Sequence, residues 1–182
     1  QSMLEETISK IRGGQIDVLT SMDNQWSPQI NLGVSVLIPE TYVADLDVRL
    51  GLYRRLSNLS KKVEFEGFAA ELIDRFGKLP PEVNTLLLIV RIKSVCKKAG
   101  IDKLDGGPKG ATVQFHNDKF ISPQGLVEFI KKQNGLAKVK DNKLIIKRDW
   151  KKNSDKFKGA FAIARELAEV AASHEKNAAN KT

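Results

Sequence analysis

Two carboxylates and an arginine in the stretch AAELIDRFGKLPPEV are the first residues that could take part in chemistry. Glu71 and Asp74 lie three positions apart and share a helix face, so they could begin a catalytic cluster. Arg75 follows Glu71 by four positions, the spacing at which opposite charges pair along a helix. Gly77 suits a helix C-cap, and Pro81 suits the first turn of a following helix. The pattern therefore favours a charge-paired joint between two helices over an active site.

The other residue types that carry catalysis or metal binding are scattered. His116 and His174 are far apart in the sequence, and no nucleophile, base and orienting residue converge in the manner of a triad. Cys96 is the single cysteine and falls on the apolar side of a helix, which predicts a core residue. The glycine-rich stretch at residues 106–112 lacks the Gly-Lys-Ser/Thr end of a phosphate loop and precedes a strand. We expect no enzyme activity, no cofactor and no metal in this chain.

The positive charge is local. The net charge is +8, and residues 131–158 contain 11 basic and three acidic side chains, an excess equal to the whole net charge. Such a cluster could meet phosphate or an acidic protein surface, or could be a solvated face. Only one aromatic residue, Trp150, lies within it, whereas single-strand binders interleave charges with several stacking aromatics. The candidate nucleic-acid contacts are Lys138, Lys140, Lys143, Lys147 and Arg148.

A second group of arginines, Arg49, Arg54 and Arg55, lies in the stretch ADLDVRLGLYRRL. Arginine is favoured in interfaces and in two-point pairs with carboxylates. The sequence leaves an interface role and plain surface exposure equally open for these three residues. The complete set of interaction candidates is Arg49, Arg54, Arg55, Glu71, Asp74 and Arg75.

The residue pattern predicts an α+β fold, with several helices packed on a small mixed or antiparallel sheet. The chain is expected to begin with a helix and linker arm over residues 1–29, and to end in a disordered tail over residues 175–182. Between them, residues 30–174 form the main domain. The predicted strands have alternating apolar residues at 32–38 and at 111–115, and a basic hairpin turns at Asp141-Asn142.

Helix-period patterns and capping residues place the helices. Asp45 is the predicted N-cap of the first helix of the main domain, and residues 61–67 read as a connector. A long helix is predicted from Pro81 to Ala99. Ser122 is the predicted cap of a short helix, and Ser154 is the predicted cap of the last one, which frays beyond residue 174.

Composition sets the class of the protein. Hydrophobic residues make up 41% of the 182, enough for a packed core, and no apolar run is long enough to span a bilayer. The first residues, QSMLEETISK, do not resemble a signal peptide, and one cysteine cannot form an internal disulfide. We therefore expect a cytoplasmic protein without membrane contact.

Three stretches together resemble the C-terminal domain of bacterial transcription-repair coupling factor. They contain an Ile-Pro pair, an Asp-x-x-x-Arg-Leu-x-x-Tyr-x-Arg helix, and Glu-Leu-x-Asp-Arg-Phe-Gly-x-Leu-Pro, in this order. The stretches are LIPETYVADLDVRLGLYRRL (37–56), ELIDRFGKLPPEV (71–83) and LLLIVRIKSVCKKAGIDKLD (86–105). The resemblance covers residues 30–174, more loosely after Gly106.

The resemblance implies a role in transcription-coupled nucleotide excision repair. The parent of the family is a large ATP-dependent DNA translocase that displaces stalled RNA polymerase and recruits UvrA. Its C-terminal domain is implied to be a non-catalytic regulatory clamp, which packs on the UvrB-like N-terminal module of the same chain and masks UvrA binding. The alternative is an accessory nucleic-acid-binding domain, with weak DNA contact through residues 131–158.

Overall fold

The structure is a computed structural model that describes residues 26–34 and 36–180. Within these residues the chain has five α-helices and one five-stranded mixed sheet, which confirms the predicted α+β class. The chain divides into two compact units. Among the described residues, the first unit contains Trp26, Val34 and 36–91, and the second contains 27–33 and 92–180. The predicted N-terminal helix and most of the linker arm lie outside the described residues.

The first unit is helical. Helix α1 spans Leu46–Ser57, helix α2 spans Lys62–Phe76, and helix α3, Pro81–Ala99, begins in this unit and ends in the second. The predicted cap of α1 is confirmed, because the Asp45 carboxylate accepts a hydrogen bond of 3.0 Å from the amide of Val48. The predicted bounds of α3 are confirmed as well.

Residues 61–67 are not a connector, because α2 begins at Lys62. The Glu64 carboxylate accepts a 3.0 Å hydrogen bond from the amide of Lys61, which satisfies one of the free donors at the helix start. Phe65 is buried and continues the apolar side of the helix, so burial outweighs the low helix propensity of Gly67. The sequence prediction assigned Gly67 to the connector, whereas it is an interior helix residue.

The strand predicted over residues 32–38 is also wrong. The strand β1 is shorter and earlier, Gln29–Asn31, and Gly33 turns the chain with a φ of +71°. Val36 and Ile38 are buried, but the amide of Ile38 donates to the hydroxyl of Tyr53 at 2.7 Å. The alternating apolar residues of this stretch are therefore explained by the burial of their side chains, without a strand.

The second unit is built on the sheet. Its strands are β1, β2 (Ile101–Gly107), β3 (Gly110–Phe115), β4 (Ala137–Lys140) and β5 (Lys143–Lys147), in the spatial order β1-β2-β3-β5-β4. β1 pairs with β2 in parallel, and the other three pairings are antiparallel. The predicted alternation on β3 is confirmed, since Ala111, Val113 and Phe115 are buried.

The remaining elements of this unit are helical, and the two longer helices contact each other and strands of the sheet. A short 3₁₀ helix, His116–Asp118, leads to helix α4 (Pro123–Lys132), and helix α5 (Asn153–Asn180) ends the described chain. The predicted cap of α4 is confirmed, because the Ser122 hydroxyl accepts a 3.0 Å hydrogen bond from the amide of Gly125. Helix α5 begins at Asn153, so the prediction of Ser154 as its cap is wrong. The helix continues past residue 174 to Asn180, further than predicted.

The basic hairpin is confirmed. Asp141 and Asn142 connect β4 to β5 with φ values of +53° and +63°, as a type I′ turn requires at both central positions. Asparagine and aspartate tolerate this left-handed region better than other residues with a side chain.

None of the helices in the described part of the chain combines the length and the hydropathy that a membrane-spanning helix needs.

Candidate interaction surface

The first unit brings an arginine of α1 onto a glutamate of α2. The guanidinium of Arg55 makes two hydrogen bonds to the Glu71 carboxylate, Nη1 to Oε2 at 2.5 Å and Nη2 to Oε1 at 2.7 Å. Arg75, four residues after Glu71, donates from Nη1 to the same Oε2 at 3.2 Å. The predicted pair along α2 is therefore present, and the two-point pair between the helices is the feature that sequence spacing missed.

Aromatic rings support both arginines. The Arg55 guanidinium lies 5.1 Å from the ring centroid of Phe68, and that of Arg75 lies 4.9 Å from the centroid of Phe76. Hydrogen bonds from Arg55 lower the pKa of Glu71 to about 2, with a smaller contribution from Arg75. The side-chain hydrogen bond to Glu71 in turn raises the pKa of Arg55. The carboxylate therefore stays ionised at acidic pH values at which an unpaired glutamate is protonated.

Replacing Glu71 by glutamine is expected to destabilise the protein by about 1 kcal/mol at pH 7, since 35% of the side chain is exposed and solvent screens the pairs. The pKa of Glu71 is lowered on folding from 4.5 to about 2, so its contribution is present above pH 4.5. It is lost as the pH falls toward 2. Urea denaturation of both proteins at a series of pH values should show the difference shrinking over this range.

Glu66→Gln is the matched control for this prediction. Glu66 lies on the same helix and pairs with Lys62 at 3.8 Å, with both side chains more than 60% exposed. Such a pair contributes little to stability, so we expect almost no change at pH 7. Equal effects of the two substitutions would contradict the assigned role of the Arg55–Glu71 pair.

The outward side of α2 is the second feature of this unit. Val63, Gly67, Ala70 and Asp74 follow one another at helical spacing and are all exposed, with Ile73 beside Asp74. Val63 is 68% exposed and Ile73 is 49% exposed, although both are large and apolar. The Asp74 carboxylate makes no hydrogen bond or ion pair within the described residues. We call these five residues the α2 outer face.

The joint after α2 is fixed by a tyrosine. The hydroxyl oxygen of Tyr42 lies 2.8 Å from the carbonyl oxygen of Gly77 and 3.1 Å from that of Leu72. Gly77 caps α2 with a φ of +94°, and α3 begins at Pro81, so the predicted helix–glycine–proline joint is confirmed. This joint fixes where α2 ends.

The other two arginine candidates lie in different surroundings. Arg49 is only 12% exposed, and its Nη1 donates to the carbonyls of Val43 at 2.7 Å and Ala44 at 3.1 Å. These bonds hold the turn that precedes α1. Arg54 is exposed on the surface of α1. Of the three arginines, only Arg55 joins the cluster around Glu71.

The basic candidates lie on the hairpin of the second unit. Lys138, Lys140, Lys143 and Lys147 are all exposed. Arg148 is half-buried, and its guanidinium donates to the side-chain oxygen of Gln133 at 2.5 Å and to the carbonyl of Lys147. It therefore acts within the fold and is not presented with the lysines.

The residues with catalytic potential do not converge in the described part of the chain. His116 lies 3.6 Å from Asp102, and His174 lines an open groove of about 630 Å³ between α4 and α5 with Glu128, Glu166 and Glu169. No group of three or more such side chains among the described residues could hold a metal ion. Cys96 is fully buried, which raises the pKa of its thiol and confirms its predicted place in the core.

Comparison with known families decides the relationship of this chain. The sequence model of the TRCF domain matches residues 32–126, more than half of the chain. The chain belongs to the TRCF domain family. The match includes all of α1, α2 and α3, and so contains the Arg55–Glu71 pair and the α2 outer face. It ends before the basic hairpin.

Relatives of this TRCF domain are similar over most of its length. The transcription-repair-coupling factor of Rickettsia conorii is 44% identical over 146 residues, which is 80% of this chain and 13% of that protein. The transcription-repair-coupling factor of Escherichia coli K12 is 32% identical over 131 residues, or 72% of this chain and 11% of that protein. The chain thus spans about an eighth of the length of these relatives.

A solved structure supports the fold. The crystal structure of a C-terminal domain of transcription-repair coupling factor superposes with a TM-score of 0.68 and 22% sequence identity. The match covers 84% of this chain and 98% of that one. The two chains therefore share their fold.

Proposed function

We propose that this TRCF domain is a non-catalytic, autoinhibitory clamp in a transcription-repair coupling factor that acts in transcription-coupled nucleotide excision repair. It binds the UvrB-like N-terminal module of its own parent chain and covers the surface that UvrA needs. The parent is an ATP-dependent DNA translocase that acts on stalled RNA polymerase, and this domain contributes no catalytic residue to it.

The observation that carries this proposal is the α2 outer face. Glycine and alanine at its centre allow close approach of another backbone, because their side chains are absent or small. The space above Gly67 is open, since a Cβ built there has no atom within 4 Å. Val63 and Ile73 supply apolar contact at the two ends. Asp74 supplies an exposed negative charge that can pair with a basic group of the partner. Large exposed apolar side chains grouped on one helix face support a role as a protein-binding surface.

The Arg55–Glu71–Arg75 cluster supports this face in a second way. Its two-point hydrogen bonds and the contact of Arg55 with Phe68 hold α1 against α2, and so fix the helix that carries the face. A preformed surface loses little conformational entropy on binding. Arg55 and Arg75 remain nearly half exposed, at 49% and 44%, and so can also contact an acidic group of the partner at the rim.

A clamp must open, and the size and polarity of this face suit a reversible contact. Interfaces between domains of one chain are more polar than permanent interfaces. Charges at the rim of an interface act mainly on specificity and association rate. The α2 outer face combines two apolar anchors with one charge, which fits a contact that yields when the motor of the parent engages.

Deleting this domain from a full-length transcription-repair coupling factor is expected to raise its affinity for UvrA. If the clamp is closed in about nine molecules of ten, the gain is roughly tenfold, because apparent affinity scales with the open fraction. A direct binding assay with purified UvrA measures the change. Unchanged affinity after deletion would contradict the masking role.

A further inference from the structure

We infer that the hairpin of the second unit forms a binding surface for the phosphate backbone of duplex DNA. The surface is one face of β4 and β5 and consists of Lys138, Lys140, Lys143 and Lys147. We call it the lysine face. It is separate from the α2 outer face, so the inference goes beyond the clamp.

Strand register places the four lysines on the same side of the sheet. Lys140 pairs directly with Lys143, and Lys138 pairs with Ile145, which lies between Lys143 and Lys147 on β5. Because side chains alternate along a strand, Lys143, Ile145 and Lys147 share one face with their partners. The opposite face carries the buried Leu144 and Ile146. The lysines are therefore directed away from the core.

These charges are not neutralised within the fold. None of the four lysines makes an ion pair with another residue in the described ranges, and all four are exposed. The hairpin contains one carboxylate, Asp141 at its tip. Four ammonium groups with little local compensation attract a polyanion.

The need to protect the edge of the sheet explains only two of the four lysines of the lysine face. Lysines on an edge strand prevent pairing with other chains, and β4 is the edge of this sheet. That role accounts for Lys138 and Lys140. It does not account for Lys143 and Lys147, because β5 is paired on both sides, with β3 and with β4.

The composition of the face favours a nucleic-acid backbone over a protein. Lysine is depleted in protein–protein interfaces, in which arginine and aromatic residues are enriched. The nearby arginine, Arg148, is bound to Gln133, and the nearby Trp150 is buried. Sequence-independent binding to phosphates draws most of its affinity from positive side chains such as lysine, and it needs no aromatic residue.

The burial of Trp150 also favours double-stranded over single-stranded DNA as the ligand. Single-strand binders stack bases on exposed aromatic rings. Trp150 packs against α5 at Gly159, where an added Cβ would lie 2.3 Å from the indole ring, so it is not available for stacking. Four lysines on one face of a two-stranded hairpin can contact the closely spaced phosphates of a duplex. The TRCF domain family takes part in DNA repair, which makes DNA the relevant duplex.

Fluorescence anisotropy with a labelled duplex of about 20 base pairs, titrated with the whole chain at several NaCl concentrations, tests this inference. With four phosphate contacts, the slope of log Kobs against log salt is expected to be roughly −3 to −4. Replacing all four lysines by glutamine should lower the affinity at about 50 mM salt at least tenfold. The single substitution Lys143→Gln should make the slope shallower by about 0.9.

A control variant removes the same number of positive charges from outside the lysine face. Lys62, Lys78, Lys98 and Lys119 are exposed and lie outside the lysine face, and their combined replacement by glutamine should leave most of the binding intact. Circular dichroism checks that both variants fold. Equal losses in the two variants, tighter binding to single-stranded poly-dT than to the duplex, or no duplex binding by the unmodified chain would each overturn the inference. The assay contains no UvrB-like module, so its outcome is independent of the clamp.

Discussion

Replacing Asp74 by arginine is expected to weaken binding of this domain to the UvrB-like module about ten- to a hundredfold. Asp74 is exposed on the α2 outer face, and its carboxylate has no partner within the described residues. A ten- to a hundredfold loss corresponds to about 1.4–2.7 kcal/mol. This is the lower part of the roughly 1.5–7 kcal/mol measured for close charge pairs across interfaces, as expected for a charge at the edge of a contact. Isothermal titration calorimetry with the separately purified module measures the effect.

Asp149→Arg is the control for this substitution. It makes the same change of charge at an exposed residue of the second unit, where Asp149 pairs only loosely with Lys151 at 3.8 Å. We expect its binding to the module to equal that of the unmodified chain. Equal affinities of the Asp74 and Asp149 variants would show that the α2 outer face is not the contact.

Replacing Gly110 by alanine should cause the largest loss of stability in the sheet, about 3 kcal/mol or more. Gly110 opens β3 with a φ of +129°, which residues with a side chain rarely adopt. A Cβ there would lie 2.0 Å from the carbonyl oxygen of Ile146 on β5. The pairing of β3 with β5 must shift to accept it. Urea denaturation followed by circular dichroism measures the free energy of unfolding.

Gly107→Ala is the matched control, at the other end of the same turn. A Cβ built at Gly107 meets nothing within 4 Å. We expect its effect on the free energy of unfolding to stay within about 1 kcal/mol, the ordinary range for a surface position. A loss as large as that of Gly110→Ala would contradict the steric account. The pairing of β3 with β5 also positions two of the four residues of the lysine face, Lys143 and Lys147.

The elements with strong local signals could be predicted from sequence. Asp45 and Ser122 cap helices as expected, and Asp141-Asn142 forms the hairpin turn, because each role depends on a few neighbouring residues. Two predicted elements were wrong. Residues 32–38 have buried side chains but form no strand over their length, and the predicted connector that ends at Gly67 is part of α2. Tertiary packing outweighed local propensity at both places.

The candidate surfaces were predictable in composition but not in arrangement. The spacing of Glu71 and Arg75 predicts their pair, whereas Arg55 is sixteen residues away and meets Glu71 only because α1 packs beside α2. Likewise, the sequence identifies the lysine cluster, but only strand register separates its four exposed members from Arg148. Contacts between residues far apart in the sequence could not be predicted from residue spacing alone.

Competition between this chain and UvrA for the UvrB-like module tests the clamp most directly. The separately purified module is held at fixed concentration with labelled UvrA, and the chain is added in increasing amounts. The clamp predicts that the chain displaces UvrA and that Asp74→Arg displaces it only at about ten- to a hundredfold higher concentration. Formation of a ternary complex, with UvrA and this chain bound to the module together, would contradict the account.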